Sequence, residues 1–202
     1  MYADAPSLAP IGPIETASLT SRASLPLEIE IGPGRGAFIL ERAIESPDVA
    51  IVGLEVRAKW AKIVDDRLKR LGYDDHARVY AADARSVLPR LYPDASVTTF
   101  VIHFPDPWWK VKQQKRRVIT PAFVREMVRL LMPGGTVFVQ TDVLERGELF
   151  DAVLSSMEGL QPDGDNVGSP LLAQSPWQAK SNRERSVMEA GLAPTRLRFR
   201  KP

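Results

Sequence analysis

A glycine-rich turn and a carboxylate beyond it are spaced as a nucleoside-binding site requires. The segment EIEIGPGRG places Gly32, Gly34 and Gly36 directly after an apolar run, and Glu55 lies 19 residues beyond Gly36. Glycine lets the backbone turn tightly and approach a ligand without obstruction by a side chain. A carboxylate at the end of the following strand can accept hydrogen bonds from both hydroxyls of a ribose. The spacing therefore predicts a site for an adenosine nucleoside, with a tight turn that binds no ligand as the alternative.

Glu30 and Asp83 indicate which nucleoside cofactor this site favours. The glycines followed by Ala37 also satisfy the dinucleotide fingerprint, so they do not discriminate by themselves. We expect Asp83 to end the third strand, where methyltransferases commonly hold the adenine amino group; a turn aspartate is the alternative. We expect Glu30 to face the amino-acid end of the cofactor, where a carboxylate attracts an ammonium group and would repel a pyrophosphate. These two carboxylates favour S-adenosyl-L-methionine over NAD.

Cationic side chains are concentrated in two segments, although the formal net charge is only +2. The first segment contributes Lys110, Lys112, Lys115, Arg116 and Arg117, and the C-terminal tail contributes Arg183, Arg185, Arg196, Arg198, Arg200 and Lys201. Trp108 and Trp109 adjoin the first segment and suit contact with unstacked bases, although core packing explains one of them equally well. The distribution favours an RNA partner, with a solvated face or an exposed sheet edge as the alternatives.

Apolar runs and helical patterns alternate along the chain from residue 27 onward. They predict strands at 27–31, 50–55, 78–81, 97–103, 136–140 and 195–200, and helices at about 36–46, 57–71, 121–131, 143–158 and 182–190. We expect an α/β fold: a Rossmann-like doubly wound, mostly parallel seven-stranded sheet with helices on both faces. Residues 1–26 are expected to form a flexible arm, residues 27–202 one domain, and residues 161–178 a loop. Ligands in such sheets bind beyond the carboxyl ends of the strands, where these carboxylates fall.

The composition is that of a globular protein with a sizeable core, since 44% of the 202 residues are hydrophobic and 26% are charged. The chain has no cysteine, which excludes disulfides and thiolate ligands, and two isolated histidines make a poor metal site, so we expect no metal. We expect His103 to be structural. No apolar stretch reaches the roughly 20 residues that span a bilayer, and we expect a cytoplasmic protein with no membrane partner. The choice between monomer and homodimer stays open.

The order of the motifs resembles that of the tRNA (guanine-N7)-methyltransferase family. The glycine-rich turn is followed by Gly-x-Glu at 53–55, Asp83, Phe-Pro-Asp-Pro-Trp at 104–108, Lys-Arg-Arg at 115–117, Pro-Gly-Gly at 133–135 and Thr-Asp at 141–142. The resemblance covers residues 27–158 well and the tail more loosely. It implies methyl transfer from S-adenosylmethionine to N7 of guanine-46 in tRNA. Trp109, the two glutamines at 113–114 and an N-terminal arm that lacks the basic residues many relatives carry depart from the family pattern, which leaves the exact RNA target open.

The resemblance also implies a role for each site residue. The cofactor would be contacted by Glu30, Glu55, Asp83 and Asp106, with Asp106 as the catalytic position as well. The substrate nucleotide would meet Lys110 and Asp142, and residues 112–117 would lie along the RNA. A Thr-x-x-Glu element of the family is matched here by Ser181 and Glu184, which would also contact the RNA substrate.

Methylation at N7 of guanine sets modest chemical demands, because this nitrogen already presents a lone pair and attack on a sulfonium methyl group removes no proton. Holding N7 in line with the S–CH3 bond can lower the barrier by roughly 7–11 kcal/mol. We expect Asp106 to stabilise the positive charge that reaches the ring; an Asx-type turn between two prolines is the alternative. A tRNA-binding relative without turnover, and a methyltransferase with another RNA or a small-molecule substrate, are the other hypotheses.

Overall fold

The structure, a computed structural model, describes residues 2, 4–105 and 118–202. Its strands are β1 (Ile14–Glu15), β2 (Leu27–Ile31), β3 (Ala50–Glu55), β4 (Ala77–Ala81), β5 (Leu91–Tyr92), β6 (Val97–His103), β7 (Leu131–Thr141), β8 (Gln161–Pro162) and β9 (Thr195–Arg200). Its helices are α1 (Ala37–Glu45), α2 (Ala58–Leu71), α3 (Ala84–Val87), α4 (Pro121–Leu130), α5 (Leu144–Ser155) and α6 (Asn182–Glu189). None of the helices in these ranges is long and apolar enough to cross a membrane.

The main sheet has seven strands in the order β4-β3-β2-β6-β7-β9-β8, which confirms the expected fold class. Neighbouring strands from β4 to β7 are parallel, and β9 is antiparallel to both β7 and β8. The chain adds β3 and β4 on one side of β2 and then returns to place β6 on the other side. Strand order therefore reverses between β2 and β6, and a ligand site is expected beyond their carboxyl ends.

Both faces of the central strands are buried, as expected for parallel strands that helices cover on two sides. Ile29 and Ile31 of β2 belong to the core on one face of the sheet. Phe38 of α1 and Phe138 of β7 belong to the core on the other face. Because side chains alternate between faces along a strand, Glu30 lies on the second face, among helices, although it is a carboxylate.

The N-terminal segment differs from the loosely packed arm that we expected. β1 pairs with β5 in a small parallel sheet, and Leu19 is 1% exposed, with its carbonyl oxygen accepting from the Tyr80 hydroxyl at 2.8 Å. The Ala81 N–H donates to the Pro6 carbonyl oxygen at 2.6 Å. These attachments use main-chain carbonyls, which every residue type supplies. The segment therefore packs against the domain without an apolar period in its sequence.

The seventh strand of the sheet, β8, lies inside the segment 161–178 that we expected to be a loop. It has only two residues, which pair with Arg200 and Phe199 of β9. A strand this short carries no alternation of apolar and polar residues. Its pairing comes from the neighbouring strand rather than from its own residue pattern.

The large apolar residues of helix α2 recur at steps of three and four, but only Val64 and Leu68 among them are buried. Ile63 and Leu71 are 42% and 48% exposed. The buried residues of the helix are Ala61, Val64, Asp65 and Leu68. Asp65 is accommodated in the interior because its carboxylate accepts from Arg78 Nε at 2.8 Å and from the Val79 N–H at 3.1 Å. The buried face of the helix therefore includes a paired carboxylate, whereas Ile63 and Leu71 are exposed.

Candidate active site

Two adjoining cavities lie beyond the carboxyl ends of the strands at the point where strand order reverses. Their volumes are about 420 and 400 Å³. We call the first, which is also lined by Glu55 and Asp83, the nucleoside cavity, and the second, which is also lined by Glu30 and Asp142, the polar cavity. Five residues line both: Gly32, Arg57, His103, Phe104 and Pro105.

The glycine-rich turn between β2 and α1 forms one wall of this pair of cavities. Gly32 has a φ of +73°, which side-chain-bearing residues rarely adopt, and no atom lies within 4 Å of the place its Cβ would take. A ligand can therefore approach the main chain closely at this point. The Gly34 N–H donates to Glu55 Oε2 at 2.9 Å, which ties the turn to the end of β3.

Gly36 serves the packing of the turn, and its expected contact with the cofactor stays a prediction. It does not line either cavity. Its φ is +75°, and a Cβ on it would lie 2.4 Å from Val64 Cγ1 of α2. The absence of a side chain lets α2 approach the start of α1, which is the packing role of the third glycine in related nucleotide-binding turns.

Glu55 ends β3 with its carboxylate in the nucleoside cavity, as predicted. Its side chain is 2% exposed. Oε2 accepts from the Gly34 N–H, while Oε1 accepts from the Arg57 N–H at 2.9 Å and from Arg57 Nε at 3.1 Å. Two main-chain donors thus fix the carboxylate, and the third partner is a guanidinium group at the surface.

Asp83 follows β4 and caps the N-terminus of α3, with Oδ1 accepting from the Arg85 N–H at 3.0 Å. Its carboxylate also pairs with the Arg85 side chain, and this hydrogen bond lowers the pKa of Asp83 below its ordinary value. Asp83 therefore forms the turn that was the alternative expectation and also lines the predicted nucleoside site. Apolar side chains surround it in the nucleoside cavity: Leu54, Val56, Ala82, Ala84 and Ile102. An apolar wall with a carboxylate at its end suits a purine that carries an amino group.

Glu30 and His103 lie side by side on β2 and β6 at the floor of the polar cavity. His103 Nδ1 is 3.1 Å from Glu30 Oε1, and the two side chains are 4% and 2% exposed. Burial raises the pKa of Glu30 above its ordinary value, and the hydrogen bond with His103 opposes that rise. His103, expected to be structural, is thus also a lining residue of the site. Its position directly before Phe104, at the end of a strand beside β2, is the feature of the sequence that could have indicated this.

Asp142 and Ser181, both expected to contact the substrate, lie on the far wall of the polar cavity. Asp142 follows β7 and accepts from Arg183 Nε at 3.0 Å. Ser181 caps α6, with its hydroxyl accepting from the Glu184 N–H at 3.2 Å. Asn182 and Arg183 complete this wall.

Glu184, expected to contact the RNA substrate, lies in the interior and lines neither cavity. It is 0% exposed, and its Oε1 accepts from Arg196 Nη2 at 3.1 Å. The hydroxyl and the carboxylate of the Ser-x-x-Glu element therefore point to different surroundings. The Ser181 hydroxyl caps α6, whereas the Glu184 carboxylate is buried and pairs with Arg196 of β9.

The three arginines of β9 in the C-terminal tail are paired with acidic side chains rather than left unpaired along a sheet edge. β9 lies between β7 and β8, and its arginines pair with acidic partners: Arg198 with Asp163 at 2.7 Å, Arg200 with Asp163 at 2.9 Å, and Arg196 with Glu184. Lys201 Nζ donates to two main-chain carbonyl oxygens. The exposed-edge alternative is wrong for these arginines, because β8 pairs with β9. Contact of the tail with RNA stays a prediction.

Several predicted residues lie outside the part of the chain that the structure describes. They are the catalytic candidate Asp106, the paired residues Trp108 and Trp109, and the cations Lys110, Lys112, Lys115, Arg116 and Arg117. Their roles stay predictions. The described residues on either side, Pro105 and Val118, both line the nucleoside cavity.

The described residues fit S-adenosylmethionine by the chemistry of their donors and acceptors. Glu30 Oε2, His103 Nε2 and the Gln140 side-chain amide are buried and have no hydrogen-bond partner among the described residues. Gln140 is the register partner of His103 on the adjacent strand, so these atoms are neighbours on one face of the sheet. Unpaired buried polar atoms are costly unless a ligand or water satisfies them. A free carboxylate oxygen here suits the cofactor's ammonium group, and the apolar cavity beside it suits the adenine. Among the described residues, no group of three acidic or histidine side chains could hold a metal ion.

Comparison with known proteins shows the family of this chain. The family model "Putative methyltransferase" matches residues 24–191. A tRNA (guanine-N(7)-)-methyltransferase of Myxococcus xanthus is 38% identical over 177 residues, which cover 88% of this chain and 84% of the relative. A protein of the same name from Thermosynechococcus vestitus is 34% identical and covers 87% of this chain and 80% of the relative.

Solved structures agree with the fold. The 16S rRNA methyltransferase KamB superposes with a TM-score of 0.62 at 16% identity, covering 90% of this chain and 91% of its own. TrmN from Thermus thermophilus superposes with a TM-score of 0.59 at 20% identity, covering 89% of this chain and 45% of its own. These similarities show the fold alone. The enzyme activity is indicated by the sequence relatives. The chain therefore belongs to the tRNA (guanine-N7)-methyltransferase family, which are S-adenosylmethionine-dependent enzymes.

Proposed function

We propose that this protein transfers the methyl group of S-adenosylmethionine to N7 of guanosine 46 in tRNA. One observation carries the proposal: Glu30, Glu55 and Asp83, from three neighbouring strand ends, line adjoining cavities at the switch point of the sheet. Carboxylates in this arrangement match the ammonium, ribose and adenine groups of one cofactor. The family relationship supports tRNA as the substrate, and we expect the enzyme to act in the cytoplasm.

The protein has to position the two reactants, because the reaction involves no proton transfer. S-adenosylmethionine supplies a methyl group on a positively charged sulfur. The N7 lone pair forms the new N–C bond as the C–S bond breaks and its electron pair stays on sulfur, so the positive charge moves to the guanine ring. A carboxylate near the ring stabilises that charge without accepting a proton. We assign this role to Asp106, between two prolines that limit its backbone freedom.

The remaining residues take binding roles. Glu55 would accept from the ribose hydroxyls, Asp83 from the adenine amino group, and Glu30 from the ammonium group. Asp142 and Ser181, on the far wall of the polar cavity, would contact the substrate nucleotide together with Lys110. The cations at 112–117 would neutralise phosphates of the RNA backbone, which makes the affinity for tRNA dependent on salt.

Transfer of labelled methyl from S-adenosylmethionine to unmodified tRNA, followed by mapping of the modified nucleotide, tests this proposal. We expect 7-methylguanosine at position 46 and no incorporation into a matched transcript that carries adenosine there. Methylation at another guanosine would contradict the position, and tight tRNA binding without transfer at saturating cofactor would indicate a binding relative without turnover. If the protein has no salt-dependent affinity for tRNA, a small-molecule substrate is indicated instead.

The role of Asp106 has its own test. Asp106→Ala is expected to abolish methyl transfer while cofactor binding, measured by calorimetry, largely survives. Lys112→Ala, a single cation of the neighbouring segment, is the control: it should weaken tRNA binding and reduce its salt dependence without abolishing transfer. Full activity of Asp106→Ala would contradict the assignment.

A further inference from the structure

The Glu30–His103 pair is buried and lines the polar cavity. The side chains are 2% and 4% exposed, and the bond between Oε1 and Nδ1 is 3.1 Å long. Both residues line the polar cavity. The second carboxylate oxygen, Oε2, has no hydrogen-bond partner among the described residues. One oxygen is thus held by the protein, and the other is available to a ligand.

Aromatic side chains fix the histidine ring from the second face of the sheet. The ring centroids of His103 and Phe38 are 4.5 Å apart at an angle of 63°, and those of His103 and Phe138 are 5.8 Å apart at 67°. Trp177 packs edge-on against both phenylalanines. Edge-to-face contacts of this kind favour defined ring orientations. The orientation of Nδ1 toward Glu30 is therefore built into the packing of α1, β6 and β7.

The charge on Glu30 needs support in this position. Burial raises the pKa of Glu30, and the nearby carboxylate of Glu55 works in the same direction, whereas the hydrogen bond with His103 lowers it. A protonated Glu30 would lose its attraction for an ammonium group. A carboxylate only accepts hydrogen bonds, so a proton on Nδ1 is the arrangement that keeps Glu30 anionic.

We propose that His103 is a positioning residue for the cofactor: its Nδ1–H donates to Glu30 Oε1 and holds Oε2 toward the ammonium group of S-adenosylmethionine. This inference rests on the proposed function, since it assumes that the amino-acid end of the cofactor lies in the polar cavity. His103 acts through Glu30 and does not itself touch the reacting atoms. A purely structural histidine would contribute its ring contacts and nothing more.

Two substitutions separate the hydrogen bond from the packing. His103→Phe keeps an aromatic ring between Phe38 and Phe138 and removes the donor. His103→Asn removes the ring and keeps an N–H group close to the position of Nδ1. Affinity for S-adenosylmethionine and for S-adenosylhomocysteine is measured by calorimetry, and KM for each substrate and kcat are measured with tRNA.

We expect His103→Phe to raise the cofactor Kd and KM roughly 10- to 100-fold, the range for a lost hydrogen bond to a charged group. The tRNA KM should change little, and His103→Asn should recover most of the loss. In a Glu30→Gln background, His103→Phe should weaken binding by less than threefold, because the carboxylate that it positions is gone.

The opposite pattern overturns the inference. If His103→Phe binds the cofactor as the wild type does, or if His103→Asn is the weaker of the two, the ring contacts are what matters and the positioning role is wrong, while the proposed function stands. If the wild-type protein itself binds neither S-adenosylmethionine nor its product, the proposed function fails and this inference fails with it. Thermal unfolding of each variant identifies any loss that comes from folding.

Discussion

Arg57 and Glu55 form an ion pair at the mouth of the nucleoside cavity, joining a guanidinium that is 63% exposed to a carboxylate that is 2% exposed. Nε and Oε1 are 3.1 Å apart. The ribose hydroxyls assigned to Glu55 would compete with this side chain for the same oxygen. Because the guanidinium is largely exposed and Glu55 keeps two main-chain donors, displacing the arginine should cost little. Within residues 4–105 and 118–202, no other acidic side chain could take the place of the Glu55 carboxylate at the end of β3.

Glu55→Gln is therefore expected to weaken cofactor binding at least tenfold, because it removes the charged acceptor while its shape is kept. Arg57→Ala is the matched control and should change Kd less than about fivefold in either direction. Calorimetric titration with S-adenosylhomocysteine measures both. A loss in Arg57→Ala as large as that in Glu55→Gln would mean that the exposed guanidinium, and not the buried carboxylate, holds the nucleoside.

Gly36→Ala is expected to destabilise the fold by about 2–5 kcal/mol, since a left-handed backbone conformation and an overpacked contact add together. The new Cβ would lie 2.4 Å from Val64 Cγ1. Gly72→Ala provides the control: its φ is +78° but no atom lies within 4 Å of the added Cβ, so only the backbone cost of about 1–2 kcal/mol applies. Urea unfolding measures the two free energies, and equal losses would show that packing on α2 does not restrict this position.

Arg196→Met is expected to cost about 3–5 kcal/mol of stability, because it leaves the fully buried Glu184 without its charged partner. Arg200→Met, on the same strand, removes a side chain that is 46% exposed and pairs with Asp163. The exposed pair should contribute less than about 1 kcal/mol. Thermal and urea unfolding of the two variants tests the difference, and a neutral Arg196→Met would contradict the buried ion pair.

Asp65 predicts how stability depends on pH. Burial works to raise the pKa of Asp65, but hydrogen bonds from Arg78 and Lys69 and from the Val79 N–H outweigh it and hold that pKa below its ordinary value. A group whose pKa is lower in the folded state stabilises fully above its unfolded pKa, about 3.9, and loses that contribution as pH falls through the folded value.

Asp65→Asn should accordingly lower the free energy of unfolding by about 3 kcal/mol at pH 7. The difference in unfolding free energy between the variant and the wild type should become smaller below about pH 4. The adjacent Asp66, whose side chain is 51% exposed and pairs with Lys62, supplies the control variant Asp66→Asn, with a change below about 1 kcal/mol throughout. Unfolding free energies measured from pH 7 to pH 3 check this. If the difference in unfolding free energy stays constant down to about pH 3, Asp65 does not stabilise the fold through its charge.

The sequence patterns predict strands and site carboxylates better than they predict packing. β2, β3, β6 and β9 begin and end where the patterns place them, because each is a run of alternating or continuous apolar residues. β8 has two residues and no pattern. The N-terminal segment is held through carbonyl oxygens, which the residue types do not reveal.

The site shows the same division. Glu30 and Glu55 line the cavities as predicted because strand ends at the switch point converge by topology alone. Gly36 and Glu184 do not line the cavities. Their surroundings depend on Val64 and Arg196, which lie far from them along the chain. The position of His103 before Phe104 indicates a place in the site, but its contact with Glu30 depends on the register of β6 against β2, which no local motif contains.

A crystal structure of the protein with S-adenosylhomocysteine would test the central claim most directly. We predict the ribose hydroxyl oxygens within hydrogen-bond distance of Glu55, the adenine against Asp83 and Ile102, and the ammonium group beside Glu30 Oε2. A nucleoside bound away from the ends of β2 and β3, or bound with its ammonium group remote from Glu30, would contradict the account.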